Sequence, residues 1–212
     1  MKKVFVLTIF LAFLGSAFAQ DEDIKYRDRD EFKTIFGGKT IGGYGGIGVG
    51  YTLIEDRPGV TFDARGGVVM GHHFALGVGG SGFVNTSEYV QADNANISLA
   101  GGYGGVFAEF ILFPRSQVHL SFPVLAGIGG IAATSLIEDS YYSDYQSYIE
   151  QTSVFMIVEP AVELEFNFTR FFRMAGYFSY RYTTDVEMDN LYASPDALIN
   201  YAAGLRIKFG KF

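Results

Sequence analysis

Residues 154–168 read VFMIVEPAVELEFNF, and their alternation decides the fold. The even positions are Val154, Met156, Val158, Pro160, Val162, Leu164, Phe166 and Phe168, all apolar. The odd positions include Glu159, Glu163, Glu165 and Asn167. A period of two places successive side chains on opposite faces of a strand, so one face is apolar and the other charged. No 3.6-residue period of a long helix competes with it.

The same pattern continues outward along the chain. Phe172, Met174, Phe178, Tyr180 and Tyr182 extend the apolar set, with Arg173, Ser179 and Arg181 between them. The last run carries Ile199, Tyr201, Ala203, Leu205, Ile207 and Phe209 on one face and Arg206 and Lys208 on the other. Eight such runs occur, near 40–54, 60–70, 73–84, 97–112, 117–132, 153–168, 171–184 and 198–210. The connections near 71–72, 113–116 and 169–170 are short, whereas those near 85–96, 133–152 and 185–197 are long and polar. The connection at 55–59, EDRPG, is charged and carries a Pro-Gly turn signal. Short turns at one end, longer loops at the other and an even strand count are the plan of a membrane barrel.

Taken by parity, the second face collects Asp63, Glu109, Glu159, Glu163 and Glu165 against Arg65, Arg173, Arg181, Arg206 and Lys208. Such a balance of signs suits a closed interior, where an isolated charge is very costly. A soluble sandwich is the competing architecture, but its outer face has no need of so many aromatic residues. The expectation is an all-β fold, a closed eight-stranded antiparallel transmembrane β-barrel with up-and-down meander order. Phe122, Val124, Val158, Val162, Leu164, Phe178 and Leu205 then point outward. The tight turn at 169–171 predicts Phe168 opposite Phe172, which sets Glu159 across the ladder from Arg181 as an ion pair.

The stretch Gly42–Gly50, GGYGGIGVG, contains a literal G-x-G-x-x-G, but a strand follows it where a dinucleotide site needs a helix. The five-residue core GGYGG recurs at Gly101–Gly105. Parity turns Tyr44 and Tyr103 inward, beside glycines that make room for a large ring in a narrow barrel.

Lys2 and Lys3, the apolar run Val4–Leu14 and Ala17-Phe18-Ala19 form an export signal over 1–19, expected to be cleaved before Gln20. A charged tail follows over 20–35, and the barrel domain spans 36–212. Without Lys2 and Lys3, the 16 basic residues become 14 against 23 acidic ones, a net charge of −9. That sign argues against nucleic acid as a partner. Cysteine is absent, so no disulfide framework forms.

The chain resembles the small outer-membrane β-barrel proteins of Gram-negative bacteria over residues 36–212. The likeness rests on the export signal, the strand plan and the closing LRIKFGKF, which is similar to the C-terminal assembly signal of such barrels. Phe212 departs from that signal, because it shares parity with Arg206 and Lys208; Phe209 has the lipid-facing parity. The resemblance implies an outer-membrane location, contact with outer-membrane lipid, and insertion by the barrel assembly machinery.

No catalytic, metal or cofactor constellation emerges. His72 and His73 fall in a turn, and His119 shares the inward face with Ser121, unlike the lipid-facing His and Ser of lipid-modifying barrels. The segment 135–152, SLIEDSYYSDYQSYIEQT, sets Tyr141, Tyr142, Tyr145 and Tyr148 among small polar residues, a composition suited to recognition. The functional expectation is a non-enzymatic outer-membrane protein with a plugged lumen and loops for surface interaction, the extracellular ligand being unnamed. A narrow channel for small solutes and a lipid-modifying enzyme are the alternatives.

Overall fold

A computed structural model of the chain describes residues 41–90, 95–139, 144–188 and 193–212. The export signal and the charged tail lie outside them. Ten strands follow in order: β1 Ile41–Ile54, β2 Arg57–Met70, β3 Phe74–Asn85, β4 Glu88–Val90, β5 Ala95–Leu112, β6 Val118–Asp139, β7 Asp144–Asn167, β8 Phe172–Tyr180, β9 Tyr182–Thr183 and β10 Tyr201–Lys211. Eight form a ring, β1-β2-β3-β5-β6-β7-β8-β10, each antiparallel to the next. β10 closes the ring on β1, from Gly43↔Lys211 to Thr52↔Ala202. The short β4 pairs with the start of β5, and β9 continues β8 along β7 beyond Arg181. Closure leaves the barrel wall without a free edge, which is the condition for a sheet to stand in a medium that offers no hydrogen bonds. The architecture is thus the expected all-β closed meander.

Both β1 and β10 have their outer termini at one end, here the terminal end. The opposite end, with the longer connections, is the loop end. At the loop end the β1–β2 turn differs from its expected form. Ile54 pairs with Arg57, so the turn is only Glu55 and Asp56, whose φ values of 52° and 56° are left-handed. Two successive left-handed residues are what a primed two-residue hairpin requires. Pro58 and Gly59, expected in the turn, are already in β2 opposite Leu53 and Thr52.

Two long connections also differ from loops. The ladder of β6 and β7 runs on past residue 133 to Asp139↔Asp144, with a one-residue bulge between Ala133 and Thr134. Most of the 133–152 segment is therefore a hairpin that lengthens two barrel strands. Its polarity concealed the pairing, because a polar sequence shows no apolar alternation. Tyr145 and Tyr148 belong to β7, while Tyr141 and Tyr142 lie outside the described residues. The second is the segment after β9, read as polar, which turns back and buries Val186, Ala193, Ala197 and Leu198 against the barrel interior. Ser194 fastens it by donating from its amide and hydroxyl to Glu55 Oε2, at 2.9 and 2.8 Å. Glu187 N–H donates to Ser153 Oγ at 2.9 Å.

The outward face follows the expected parity. Val158, Val162, Leu164, Phe178 and Leu205 are exposed, and Phe122 and Val124 partly so. Leaving aside the extended β6–β7 hairpin and Lys211 at the very end of β10, the outward positions of the eight ring strands carry no charged residue. Aromatic side chains gather at two levels of this face. Phe168, Phe171, Phe172 and Phe209 meet near the terminal end, with ring centroids 5.1–6.0 Å apart for the contacting pairs. Phe178 stacks on Tyr201 at 6.0 Å and Tyr180 meets Tyr182 at 4.8 Å nearer the loop end.

Candidate functional site

The lumen holds the chemistry of this chain, and its inward positions are filled layer by layer. At the terminal end Phe212 lies partly buried inside, its ring 5.5 Å from that of Tyr44 and beneath the Arg173 guanidinium at 3.7 Å. Phe209, three residues earlier, faces outward among the aromatic side chains already described. The inward parity of Phe212 thus has a structural use as a stopper.

Next comes Lys208, brought in by β10. Its Nζ is 2.7 Å from each of Glu109 Oε1, Glu163 Oε2 and Glu165 Oε1. These three carboxylates offer oxygens within 4.8 Å of one another, a spacing that suits a cation, and the Lys208 ammonium occupies the place between them. The Tyr44 hydroxyl donates to Glu109. Glu165 also accepts from Ser121 Oγ at 2.6 Å and lies 3.0 Å from His119 Nε2 and 3.3 Å from Arg173 Nη1. His119 Nδ1 lies 3.4 Å from the Asn167 side-chain nitrogen, and its Nε2 lies 3.2 Å from Arg173 Nη1 as well as 3.0 Å from Glu165.

One layer further, Arg206 donates to Glu163 and, through Nε, to Asp63 Oδ1 at 2.7 Å. Arg65 Nη1 reaches Glu163 at 3.2 Å, and the Arg206 guanidinium lies 4.4 Å over the Tyr177 ring. Four acids and four bases, Asp63, Glu109, Glu163 and Glu165 with Arg65, Arg173, Arg206 and Lys208, are therefore one connected lattice. Each charge has an opposite partner, which offsets the large cost of removing it from water.

Glu159 and Arg181 stand apart from it. The register is the expected one, since Ala161↔Ser179 and Val158↔Tyr182 bracket the two residues. Yet the expected ion pair does not form. Glu159 accepts from Tyr103 OH and Ser179 Oγ, each at 2.7 Å. Arg181 sits between β8 and β9, and its amide donates to Asn200 O at 2.8 Å, in line with the β8–β10 register. Its guanidinium turns to Thr52 Oγ1 and, at 3.1 Å, to Leu53 O, with the Phe83 ring 5.7 Å away. The register thus fixed the cross-strand neighbour correctly, while the side chain takes its partners from β1.

The tyrosines of the two GGYGG stretches are inward and buried, at 6% and 8% exposure. The space for each ring comes largely from the neighbouring strand. Gly129 pairs with Tyr103, and a Cβ there would lie 2.6 Å from Tyr103 Cβ and 2.7 Å from Phe155 Cζ. Gly210 pairs with Tyr44, and its Cβ would lie 2.7 Å from Tyr44 Cβ.

Beyond Tyr103 the lumen turns apolar. Ile54, Phe83, Leu99, Phe155 and Ile157 are buried together with Leu198 and its neighbours in the infolded segment. Between the two regions an enclosed space of about 20 Å³, lined by Thr61, Asp63, Ser81, Tyr103, Glu159 and Arg206 among others, has room for about one water molecule. Ser121 and His119 do not form a nucleophile–base pair, since both are bound to Glu165 and both are buried. His72 and His73 lie in the β2–β3 turn, apart from this lattice. Sequence parity had marked all ten charged residues as inward, and Tyr44, Tyr103, His119 and Ser121 with them; it did not give which acid each of these reaches, and Tyr177 was not singled out.

An eight-stranded antiparallel barrel with a filled, charge-matched lumen is the class that this geometry defines. No protein-family model matches the chain, and no curated protein matches it in sequence. Solved structures do. Neisserial surface protein A (NspA) aligns over 82% of this chain and 99% of its own, at 13% identity and a TM-score of 0.50. Ail, the attachment invasion locus protein of Yersinia pestis, solved in complex with the heparin analogue sucrose octasulfate, aligns over 80% and 98%, at 12% identity and a TM-score of 0.49. The N-terminal β-barrel domain of Pseudomonas aeruginosa OprF covers 80% and 96%, at 12% identity and a TM-score of 0.38. The chain has the fold of the small eight-stranded outer-membrane barrels.

Proposed function

We propose that this protein is a non-enzymatic integral outer-membrane protein, a plugged barrel that presents its loop end for surface interaction. One observation carries the reading: between the terminal rim and the β6–β7 extension, a ring of eight strands has no charge on its outward face, while its inward charges are largely matched. The two aromatic levels support it. Phe172 and Tyr180 are eight residues apart on the outward face of β8. That is about 26 Å along a strand, or about 20 Å of height at the usual strand tilt, which fits within the apolar band of a membrane barrel. The terminal end then faces the periplasm and the loop end the exterior. An export signal over 1–19, delivery by the barrel assembly machinery, and outer-membrane lipid around the barrel complete this reading. The β6–β7 hairpin with Tyr141, Tyr142, Tyr145 and Tyr148 is the segment offered for recognition.

Purified protein in a planar bilayer is expected to give no conductance steps. Regular steps would overturn the plugged lumen and favour a narrow solute channel. A strain lacking the protein is expected to keep an unchanged outer-membrane lipid profile; a missing lipid modification would favour an enzyme.

A further inference from the structure

The connections at the two ends of the barrel differ in sign. The loop-end segments 55–57, 86–96, 133–152 and 184–200 hold twelve acidic residues and a single basic one, Arg57. The terminal-end turns 71–73, 113–117 and 168–171, with residues 210–212, hold Arg115, Arg170 and Lys211 and no acidic side chain. All three are exposed and none makes an ion pair among the described residues. They also belong to one connected stretch of rim. Asn167 N–H donates to Gln117 O at 2.8 Å and its side-chain amide to Ser116 O at 2.6 Å, joining the turns of Arg115 and Arg170. Gly210 N–H donates to Phe171 O at 2.9 Å, joining the turn of Arg170 to Lys211. Beside these cations Phe113, Phe168 and Phe171 are 61–70% exposed, a degree of exposure for Phe that water alone does not favour.

We propose that this rim binds anionic phospholipid headgroups of the leaflet at the terminal end. The inference rests on the membrane reading above and goes beyond it, because it names a lipid charge and three residues. Aromatic rings at the level of the headgroups and cations just beyond them are the two parts of an interfacial anchor. Long cationic side chains reach the phosphates while their stems stay among acyl chains. The partner is a phospholipid rather than a soluble anion because the exposed Phe rings flank the cations. Free phosphate has no use for those rings.

The full chain, refolded into vesicles of phosphatidylcholine with some spin-labelled phosphatidylglycerol or spin-labelled phosphatidylcholine, provides the test. The immobilised fraction of each label reports the lipid held at the barrel surface. Wild type is expected to hold phosphatidylglycerol several-fold more strongly, about fivefold for each basic residue fully engaged. The triple variant Arg115→Gln/Arg170→Gln/Lys211→Gln, altered only on exposed turns, should insert equally well and lose the preference. The charge-preserving variant Arg115→Lys/Arg170→Lys should keep it. Equal retention of both lipids by wild type overturns the proposal, as does an unchanged preference in the triple variant. Added inorganic phosphate that abolishes the preference at constant ionic strength assigns the site to soluble anions and also overturns it. A wild-type chain that inserts into no vesicle overturns the membrane reading itself, and this proposal with it.

Discussion

At the terminal half of the lumen Lys208 meets three carboxylates at 2.7 Å each, and Arg206 joins Glu163 to Asp63. At the loop half Ile54, Leu99, Phe155 and Leu198 belong to an apolar cluster, with the Arg181 guanidinium 5.7 Å from its Phe83 ring. The same narrow barrel is filled by two opposite means, and they respond differently to damage. An ionic lattice tolerates little loss, because each missing charge strands its partner in a place without water. An apolar plug loses area and contact in proportion to what is removed, and its infolded segment can partly settle into the gap.

The comparison is broken most severely at Lys208. Lys208→Met leaves Glu109, Glu163 and Glu165 facing one another, and the expected cost is about 3–5 kcal/mol or more. It is read as a lowered urea midpoint or as failure to refold into detergent. The double variant Lys208→Met/Glu109→Gln should regain part of the loss. If both variants are as stable as wild type, the lattice is not what holds the terminal half.

The outward face sets the next scale. Leu164→Arg, opposite Gly176 in the middle of the apolar band, should cost about 2–4 kcal/mol in lipid, against a much smaller change for an Arg at Phe168 near the aromatic level. Equal effects at the two positions would contradict the membrane depth assigned to them.

In the loop half Leu198→Ala should cost about 2 kcal/mol, at the low end for a buried leucine because the segment carrying it is held by few strand bonds. Protease cleavage near residue 190 should rise in step with that loss. A loss as large as that of Lys208→Met would erase the distinction between the halves.

Arg181→Met is expected to have the smallest effect, within about 1 kcal/mol, since a buried guanidinium without a carboxylate partner is replaced by an apolar side chain of similar length. A large loss there would mean that Arg181 and Glu159 act as the ion pair that their register suggested.

Much of this was legible in the residues. Period-two alternation at 154–168 and in the runs around it separates an apolar face from a charged one, and that separation holds in any closed sheet. It marked Glu163, Glu165, Arg206 and Lys208 as inward, and Phe209 and Phe212 as facing opposite ways. The tight turn at 169–171 was enough to set the β7–β8 register, because a slip by one residue would turn every apolar side chain into the lumen. Local pattern decides such matters because strand faces depend only on neighbours in the chain.

Other features were decided by the closed barrel alone. The infolded segment after β9 carries Asp185, Glu187 and Asp196 beside Val186, Ala197 and Leu198, and as a sequence it is simply polar. Only the apolar mouth formed by β1, β3, β5 and β7 makes it a plug. In the same way no spacing in the chain places Lys208 between Glu109, Glu163 and Glu165, which come from β10, β5 and β7. Nor does any local signal turn Arg181 from Glu159 towards Thr52. Parity states which side of the wall a side chain leaves from. The partner it reaches across the lumen depends on shear and side-chain length, and these are properties of the ring as a whole.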